Sequence, residues 1–339
     1  MKFLKKFSFI VITYLILENC LSANTLNLVR QRNMILCGAT TGFFGFSSLD
    51  SKGIWQGLDI DFCRALSAAV FGDSNKVKIV PLNSQQRFTA LQSGEVDVLA
   101  HNTSITLQRD SVLGITHVGI NFYDGRGFMV PKSLGIKSAK DLNEATICLQ
   151  SGTSNESTLN DWARTNNVNY KPIVIENFNE VVNAFISGRC DAFSTDISGL
   201  ASIHASKLNK PEQYIILPEI ISKEPLGPFV RQGDESWLNI ARWVLFSMIE
   251  AEEFGINSKN VDFQLDNKNP NIRRLLGILP GLGNSIGLDD KWAYNIIKQV
   301  GNYGESFERN IGQASSLKIP RGLNAQWKDG GLMYAIPVR

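Results

Sequence analysis

The segment HNTSITLQRD (residues 101–110) places small polar residues and an arginine directly after an apolar stretch. The apolar stretch has the composition of a buried strand, and the polar segment offers many hydrogen-bond donors. Arg109 carries a planar guanidinium that can bind a carboxylate through two parallel hydrogen bonds, and Thr103 and Ser104 can donate to the same group. The alternative for Arg109 is a surface ion pair with Asp110. The pattern predicts a site for a polar ligand with a negative charge.

Asp196 is the candidate for the opposite charge. A carboxylate that faces Arg109 across a cleft suits an ammonium group, and a ligand that carries both charges is an α-amino acid. The alternative for Asp196 is capping of a helix, because the helical pattern ISGLASIHAS follows it.

Two further segments offer polar groups. In PLNSQQRF, Ser84 and Arg87 can bind a second carboxylate or an amide if Arg87 faces the cleft; if it faces outward, it is an ordinary surface charge. In SGTSN, the N–H groups of Thr153 and Ser154 lie at the predicted N-terminus of a helix, where anions are favoured.

The segment GFFGFS contains three phenylalanines that can supply an apolar wall over the aliphatic part of a ligand. Phe44 is our candidate for this wall. We expect the other two, Phe43 and Phe46, to pack in the core.

The chain contains an internal similarity between FTALQSGEVDVLAHNT (88–103) and VNAFISGRCDAFSTDI (182–197). Each predicts the end of an amphipathic helix, a Ser-Gly stop and a short strand. At the same offset, Asn102 corresponds to Asp196. We expect both residues beyond the carboxyl ends of their strands and at the ligand.

A second similarity relates ILCGATTG to TICLQSGTSN, each a strand that leads into a small polar loop and then a helical pattern. Alternation of strand, loop and helix predicts an α/β fold with mixed, mostly parallel sheets, and ligands bind outside the carboxyl ends of such strands. Two polar loops from each half would then face one cleft between two similar lobes. Chance similarity between common turn residues is the alternative.

The 339 residues, of which 43% are hydrophobic, are enough for about two domains. The β-prone, proline-containing segments 125–133 and 217–230 predict two hinge strands. We therefore expect the first lobe in residues 24–127 and 226–339, the latter ending in a helical extension, and the second lobe in 128–225.

The N-terminus has the layout of a secretory signal peptide over residues 1–23, with three lysines, a short apolar run and small residues before the predicted cleavage after Ala23. A membrane anchor and lipidation of Cys20 are the alternatives. We therefore expect export to the periplasm. The net charge of +2, with 34 basic and 32 acidic residues, predicts no nucleic-acid partner.

Four cysteines remain after such cleavage, and an even number in an exported chain favours disulfides. Three pairings are possible, of which Cys37–Cys63 with Cys148–Cys190 keeps each bond within one half. Four free thiols are the alternative. We expect no metal site and no cofactor, because the chain has no CxxC and its three histidines lack ligand spacing to the cysteines.

At these residues the chain resembles the amino-acid-binding periplasmic proteins of ABC transporters, extracellular solute-binding protein family 3, and most closely their general L-amino-acid-binding branch. The similarity runs from about residue 30 to the end. The motifs that carry it include GIWQGLDIDFCRALSAAVFGD, RFTALQSGEVDVLAHNTSITLQRD, YDGRGFMV, LQSGTSNE, SGRCDAFSTDISGL, LPEIISKEPLGPFVRQGD and, near the C-terminus, RGLNAQWKDGGLMYA.

The resemblance implies a two-lobed fold that closes on its ligand, with Arg109 at the α-carboxylate and Asp196 at the ammonium group. It also implies that Thr103, Ser104 and Ser154 contact the ligand. SQQR is similar to a motif of acidic-amino-acid-binding relatives, which implies Ser84 and Arg87 at a side-chain carboxylate. The chain departs from these relatives at GATTGFFGFS and at His101. Both departures bear on which ligand side chain the protein prefers.

The resemblance implies a free L-amino acid and an inner-membrane ABC permease as partners, and we expect a monomer without enzymatic activity. A hydrolase or dehydratase on the same fold is the alternative. A catalytic triad needs a nucleophile and a base side by side, and the chain has no G-x-S-x-G. GLGNSIG (281–287) lacks the lysine of a phosphate-binding loop and predicts a helix–helix connection.

Overall fold

The computed structural model describes residues 24–339. The predicted signal peptide, with the alternatives of a membrane anchor and a lipidated Cys20, lies outside these residues. Within residues 24–339, no helix combines the length and the apolarity needed to cross a membrane.

Five strands form the first sheet, in the order β4–β1–β5–β13–β6. Their bounds are β1 Ile35–Ala39, β4 Val77–Pro81, β5 Val98–Leu99, β6 Ile115–His117 and β13 Phe229–Arg231. Strand β1 is parallel to β4 and β5, whereas β13 is antiparallel to β5 and β6. A separate hairpin pairs β2 (Ser48–Leu49) with β3 (Trp55–Gln56).

Six strands form the second sheet, in the order β11–β7–β10–β8–β9 with β12 also paired to β7. Their bounds are β7 Phe122–Pro131, β8 Ala145–Gln150, β9 Tyr170–Ile175, β10 Ala192–Asp196, β11 Tyr214–Ile216 and β12 Ser222–Leu226. Strand β8 is parallel to β9 and β10, and β7 is antiparallel to its three partners. Two mixed sheets flanked by helices confirm the predicted two-lobed α/β fold. The sheets are not mostly parallel as expected, because four of their pairings are parallel and five are antiparallel.

Helices surround both sheets. The helices that begin at Leu58, Asn155 and Ile197 confirm the helical patterns that follow the polar segments. The bounds are α1 Thr25–Arg32, α2 Leu58–Phe71, α3 Arg87–Ser93, α4 Leu107–Val112, α5 Asn155–Asn166, α6 Phe178–Ile186, α7 Ile197–Ser206, α8 Glu235–Glu253, α9 Pro270–Leu275, α10 Leu282–Ser285, α11 Trp292–Gln299 and α12 Tyr303–Asn310.

The predicted internal similarity is present in both lobes. Helices α3 and α6 each reach a Ser-Gly pair and lead into β5 and β10. Oδ2 of Asp97 accepts from the backbone N of Leu36 at 2.7 Å, and Oδ2 of Asp191 accepts from that of Thr146 at 2.8 Å. Each aspartate therefore ties its own strand to the neighbouring parallel strand in the same way.

Two disulfides cross-link the chain, Cys37–Cys63 and Cys148–Cys190. Of the three possible pairings, the structure has the one that keeps each bond within a lobe. The first bond joins β1 to α2, with 6.2 Å between the Cα atoms. The second joins β8 to the turn before β10, with 5.7 Å between the Cα atoms.

Strand β7 pairs with second-sheet strands from Phe122 to Pro131, so the lobe boundary expected after residue 127 falls inside a strand. The β-prone composition of 125–133 belongs to a central strand of the second sheet. We propose that the chain crosses between lobes just before β7 and just after β12. These two segments pair: the N–H of Val118 donates to the carbonyl of Pro228 at 2.8 Å.

The C-terminal helices pack on the first lobe around one buried carboxylate of α2. Oδ2 of Asp61 accepts from Oγ of Ser306, the guanidinium of Arg309 and the amide of Asn310. Between α9 and α11, Oδ1 of Asp290 accepts from the N–H groups of Gly281 and Gly283, each at 2.9 Å. The segment GLGNSIG therefore connects α9 to α11, as predicted, and contains the short helix α10, whose first amides are bound by Asp290.

Candidate functional site

A cleft lies between the two sheets, where the strand–loop junctions of both lobes converge. Among its lining residues are five predicted ones from the first lobe: Ser84, Arg87, Asn102, Ser104 and Arg109. Three more predicted residues line it from the second lobe: Thr153, Ser154 and Asp196. All eight were predicted site residues, and the structure brings them together at one place.

Arg109 is buried, and its Nη1 donates to the carbonyl oxygen of Ser104 at 2.7 Å. This bond holds the guanidinium at the cleft and not in the predicted alternative, because Asp110 pairs with His117 at 2.9 Å. Burial lowers the pKa of Arg109, and the carboxylates of Glu224 and Asp196 act in the opposite direction. A buried cation that lines a cleft is well suited to bind an anion.

Arg87 also faces the cleft and is held by contacts from both lobes. Its Nη1 lies 3.4 Å from Nδ1 of His101, and its Nη2 donates to the carbonyl of Gly152 at 3.2 Å. Burial, and then the charge of Arg109, lower the pKa of Arg87 below its ordinary value. An anionic ligand would relieve this repulsion between two buried guanidinium groups.

His101 orients Arg87 and is itself uncharged. Its Nε2 donates to the carbonyl of Leu82 at 2.9 Å, which leaves Nδ1 as an acceptor for Arg87. Burial, and then the charge of Arg87, lower the pKa of His101 to about 3. The ring of Phe88 supports both arginines, with the guanidinium carbons of Arg87 and Arg109 at 4.7 and 5.2 Å from its centroid.

Asp196 begins α7, but its side chain makes no capping bond within the described part of the chain. Instead its Oδ1 accepts from Nη2 of Arg126 at 3.0 Å. Burial raises the pKa of Asp196, and the charge of Arg126 opposes this. The other carboxylate oxygen is the one that can meet a ligand ammonium group.

Glu224 on β12 connects the two lobes behind the cleft. Its Oε2 accepts from Oγ of Ser104 at 2.5 Å and from Oγ of Ser154 at 3.4 Å. Its Oε1 lies 3.5 Å from Nη2 of Arg126. A hydrogen-bonded chain therefore runs from Arg109 through Ser104 and Glu224 to the second lobe.

Two predicted residues do not line the cleft. The side chain of Thr103 is fully buried and donates to the carbonyl of His101 at 3.1 Å, so it shapes the loop from within. Of the phenylalanines in GFFGFS, Phe43 and not Phe44 lines the cleft. The ring of Phe43 crosses to the second lobe, where it lies 5.7 Å from the ring of Phe178, and Phe46 packs in the core as expected.

The sequence analysis did not identify Arg126, Glu224 or Asp59 as residues of the site. The signal for Arg126 was available: DGRG alternates charges with glycines inside an apolar strand, which directs both charges to one face. Asp59 in the DIDF motif accepts from the backbone N of Asn102 at 2.8 Å and so supports the positive φ of that residue. Nothing in the local pattern distinguished Glu224 from a surface charge.

Among the residues that the structure describes, no group of histidines, cysteines and carboxylates is arranged to hold a metal ion.

The family model described as bacterial extracellular solute-binding proteins, family 3, matches residues 35–259. The chain belongs to this family. Residues 260–339, which contain most of the C-terminal helices, extend beyond the matched part of the solute-binding protein.

Curated relatives extend the similarity of this solute-binding protein over nearly the whole chain. The general L-amino acid-binding periplasmic protein AapJ of Rhizobium johnstonii is 53% identical over 320 residues, which cover 94% of each chain. The glutamate/glutamine/aspartate/asparagine-binding protein BztA of Rhodobacter capsulatus is 50% identical over 319 residues, again 94% of each chain.

A solved structure has the same fold at full length. It is a periplasmic binding protein of an ABC transporter from Brucella ovis with glutathione bound, 51% identical, with a TM-score of 0.92. The similarity covers 94% of the present chain and all of the Brucella chain.

Proposed function

We propose that this solute-binding protein is the periplasmic component of an ABC transporter for polar L-amino acids, which it binds between its lobes. The observation that carries the proposal is that Arg109 from the first lobe and Asp196 from the second lobe, both buried, line one cleft. A guanidinium and a carboxylate in that arrangement complement the two charges that every α-amino acid has. The names of the relatives AapJ and BztA support the same ligand class.

Arg109 is proposed to bind the α-carboxylate and Asp196 the ammonium group. Ser104 and Ser154 lie beside these two residues, and Asn102 and Thr153 complete the polar lining. Each hydrogen bond to a charged group contributes about 1.5–3 kcal/mol.

Arg87 and Ser84 are proposed to bind the side chain of the ligand. A second guanidinium in the cleft favours a ligand with a second anionic or amide group, such as glutamate, aspartate, glutamine or asparagine. The glutathione in the Brucella relative is chemically compatible, because its glutamyl end has a free α-amino acid head and continues through its side chain.

The mechanism is closure of the two lobes around the crossing segments. The amino acid docks on one lobe, and its charges then attract the groups of the other lobe, so that ligand contacts favour the closed state. We propose that the closed form delivers the amino acid to an inner-membrane permease, that the protein is a monomer, and that residues 1–23 direct its export.

A binding role accounts for His101 better than catalysis does. Both ring nitrogens of His101 are engaged, by the carbonyl of Leu82 and by the guanidinium of Arg87. With its pKa lowered to about 3, this imidazole is a poor general base at neutral pH. We therefore propose that the protein is not an enzyme.

Calorimetry of the mature protein with a panel of the twenty L-amino acids tests this function. The ligand that co-purifies with the exported protein should be removed by unfolding and refolding, and identified by mass spectrometry. We expect binding of glutamate, aspartate, glutamine or asparagine with unchanged ligand recovered afterwards. Absence of binding to every amino acid, or turnover of the bound ligand, would contradict the proposal.

A further inference from the structure

Arg126 is a third arginine at the cleft, to which none of the motifs above assigns a role. It lies on β7, where the strand register pairs it directly with Asp196 on β10 and with Ser222 on β12. Only 2% of its surface is exposed. Its Nη2 reaches Oδ1 of Asp196 at 3.0 Å, Oε1 of Glu224 at 3.5 Å and Oγ of Ser154 at 3.4 Å.

The flanking glycines show why the strand places this side chain toward the cleft. A Cβ on Gly125 would lie 2.3 Å from Ile220, and a Cβ on Gly127 would lie 2.4 Å from Ile197. The opposite face of β7 is thus closely packed with apolar side chains. Because side chains alternate along a strand, Arg126 must project from the other face, the one that carries Asp196.

The two carboxylates do not use all of the hydrogen-bonding capacity of Arg126. Its Nε and Nη1 are buried and have no hydrogen-bond partner among residues 24–339. Besides these donors, the guanidinium brings a positive charge to the cleft, and a low-dielectric surrounding transmits the effect of a charge more strongly than water does.

The charges around the cleft can be counted from these contacts. Among the charged side chains that line the cleft or form ion pairs with its arginines, Arg87 and Arg109 balance Asp196 and Glu224, and Arg126 leaves an excess of one positive charge. Asp124 is a further carboxylate near Asp196, with Oδ2 accepting from the N–H of Ser198 at 3.3 Å. Burial, and then the charge of Asp196, raise the pKa of Asp124 to about 7, so it offsets the excess only in part at neutral pH.

We propose that Arg126 determines the charge preference of the cleft, so that an amino acid with a net charge of −1 binds more tightly than its neutral amide. This inference rests on the proposed function. It assigns Arg126 as a specificity residue that acts on the ligand through charge, in addition to the direct side-chain contact assigned to Arg87.

Calorimetry of the full mature protein with L-glutamate and L-glutamine, at pH 6.5 and low salt, tests the inference in the wild type and two variants. Arg126→Gln removes the charge, and we expect the ratio of glutamate affinity to glutamine affinity to fall by about tenfold. Arg126→Lys keeps the charge, and we expect a ratio within about twofold of the wild type. An unchanged ratio in Arg126→Gln would overturn the inference.

Glu224→Gln supplies a test that does not depend on folding of an Arg126 variant. It removes a negative charge with little change of shape, and we expect the same affinity ratio to rise. A purely structural role of the network would instead lower both affinities together in every variant. A fall of the ratio in Glu224→Gln, or no change, would overturn the inference.

The failure of this inference is distinguishable from failure of the proposed function. If the wild type binds neither amino acid, the proposed function is wrong and the inference falls with it. If the wild type binds both and the ratios do not move in opposite directions in Arg126→Gln and Glu224→Gln, the charge role of Arg126 alone is wrong.

Discussion

Nη2 of Arg87, in the first lobe, donates to the carbonyl oxygen of Gly152, in the second lobe, at 3.2 Å. Beside this bond, Nε2 of Gln85 donates to Oγ of Ser151 at 2.9 Å. The arginine that we propose to bind the side chain of the ligand is therefore also part of a contact between the lobes. We propose that this arrangement couples occupation of the side-chain position to closure.

Gly152→Ala should weaken ligand binding by interfering with closure. A Cβ at this position would lie 2.8 Å from Cγ of Gln85 and 3.2 Å from backbone atoms of Ser84 and Gln85 in the other lobe. We expect about tenfold weaker affinity by calorimetry, because the closed state becomes less populated.

Gly188→Ala is the matched control for this variant. Gly152 and Gly188 have similar backbone angles, with φ of +71° and +79°, so both substitutions introduce a similar local strain. Among the described residues, no heavy atom other than those of Gly188 and its two chain neighbours lies within 4 Å of the Cβ position at Gly188. Equal affinities for the two variants would show that Gly152 has no role in closure.

Arg109→Ala should weaken binding of every amino acid, because the α-carboxylate is common to all of them. The loss of two hydrogen bonds to a charged group corresponds to roughly a hundredfold loss of affinity or more. Substitution of the exposed Arg189 by alanine controls for removal of an arginine. A loss confined to one ligand class would contradict the assignment of Arg109.

Arg87→Ala should act selectively. Because Arg87 is assigned to the side chain of the ligand, we expect glutamate to lose at least about tenfold more affinity than alanine. The measurement is the ratio of the two dissociation constants in the variant and in the wild type. If that ratio does not change, Arg87 serves only the contacts with His101 and Gly152.

Binding of a neutral amino acid should weaken as the pH falls. Burial raises the pKa of Asp196, and only its ionised form pairs with an ammonium group. The same raised pKa means that the contribution of Asp196 to stability is present below its unfolded pKa and is lost as the pH rises through its folded pKa.

The increase in melting temperature caused by glutamine should therefore grow with pH, from acidic conditions to pH 7. Glutamine is the suitable ligand because its side chain does not titrate in this range. Arg126, Glu224, Arg109 and Asp124 surround Asp196 and contribute to the shape of the profile. A pH-independent shift would contradict the pairing of Asp196 with the ammonium group.

Removal of the Cys148–Cys190 disulfide by substitution of both cysteines with alanine should destabilise the second lobe. The bond closes a loop with a sequence separation of 42, and loss of such a cross-link costs about 2–4 kcal/mol of the free energy of unfolding. Denaturant unfolding measures this loss. Peptide mapping without reduction gives the matching check, since any Cys37–Cys148 or Cys63–Cys190 peptide would contradict the pairing.

Local patterns along the chain were sufficient to predict the fold class, the two-lobe arrangement and most of the cleft. Strand, polar loop and helix recur in the same order in both halves, and the carboxyl end of a strand places the loop after it. For this reason Arg109, Arg87, Ser154 and Asp196 were all expected at one cleft, where the structure has them.

Only the tertiary structure decided which groups meet across the lobes. The choice of Phe43 over Phe44, and the inward position of Thr103, depend on the backbone conformations of two loops, which composition does not specify. The salt bridge between Arg126 and Asp196 spans 70 residues, and the bond between Ser104 and Glu224 spans 120. Such pairs follow from strand register and lobe closure, and these are determined by the packing of the whole chain, because no local pattern encodes which distant strand becomes the neighbour.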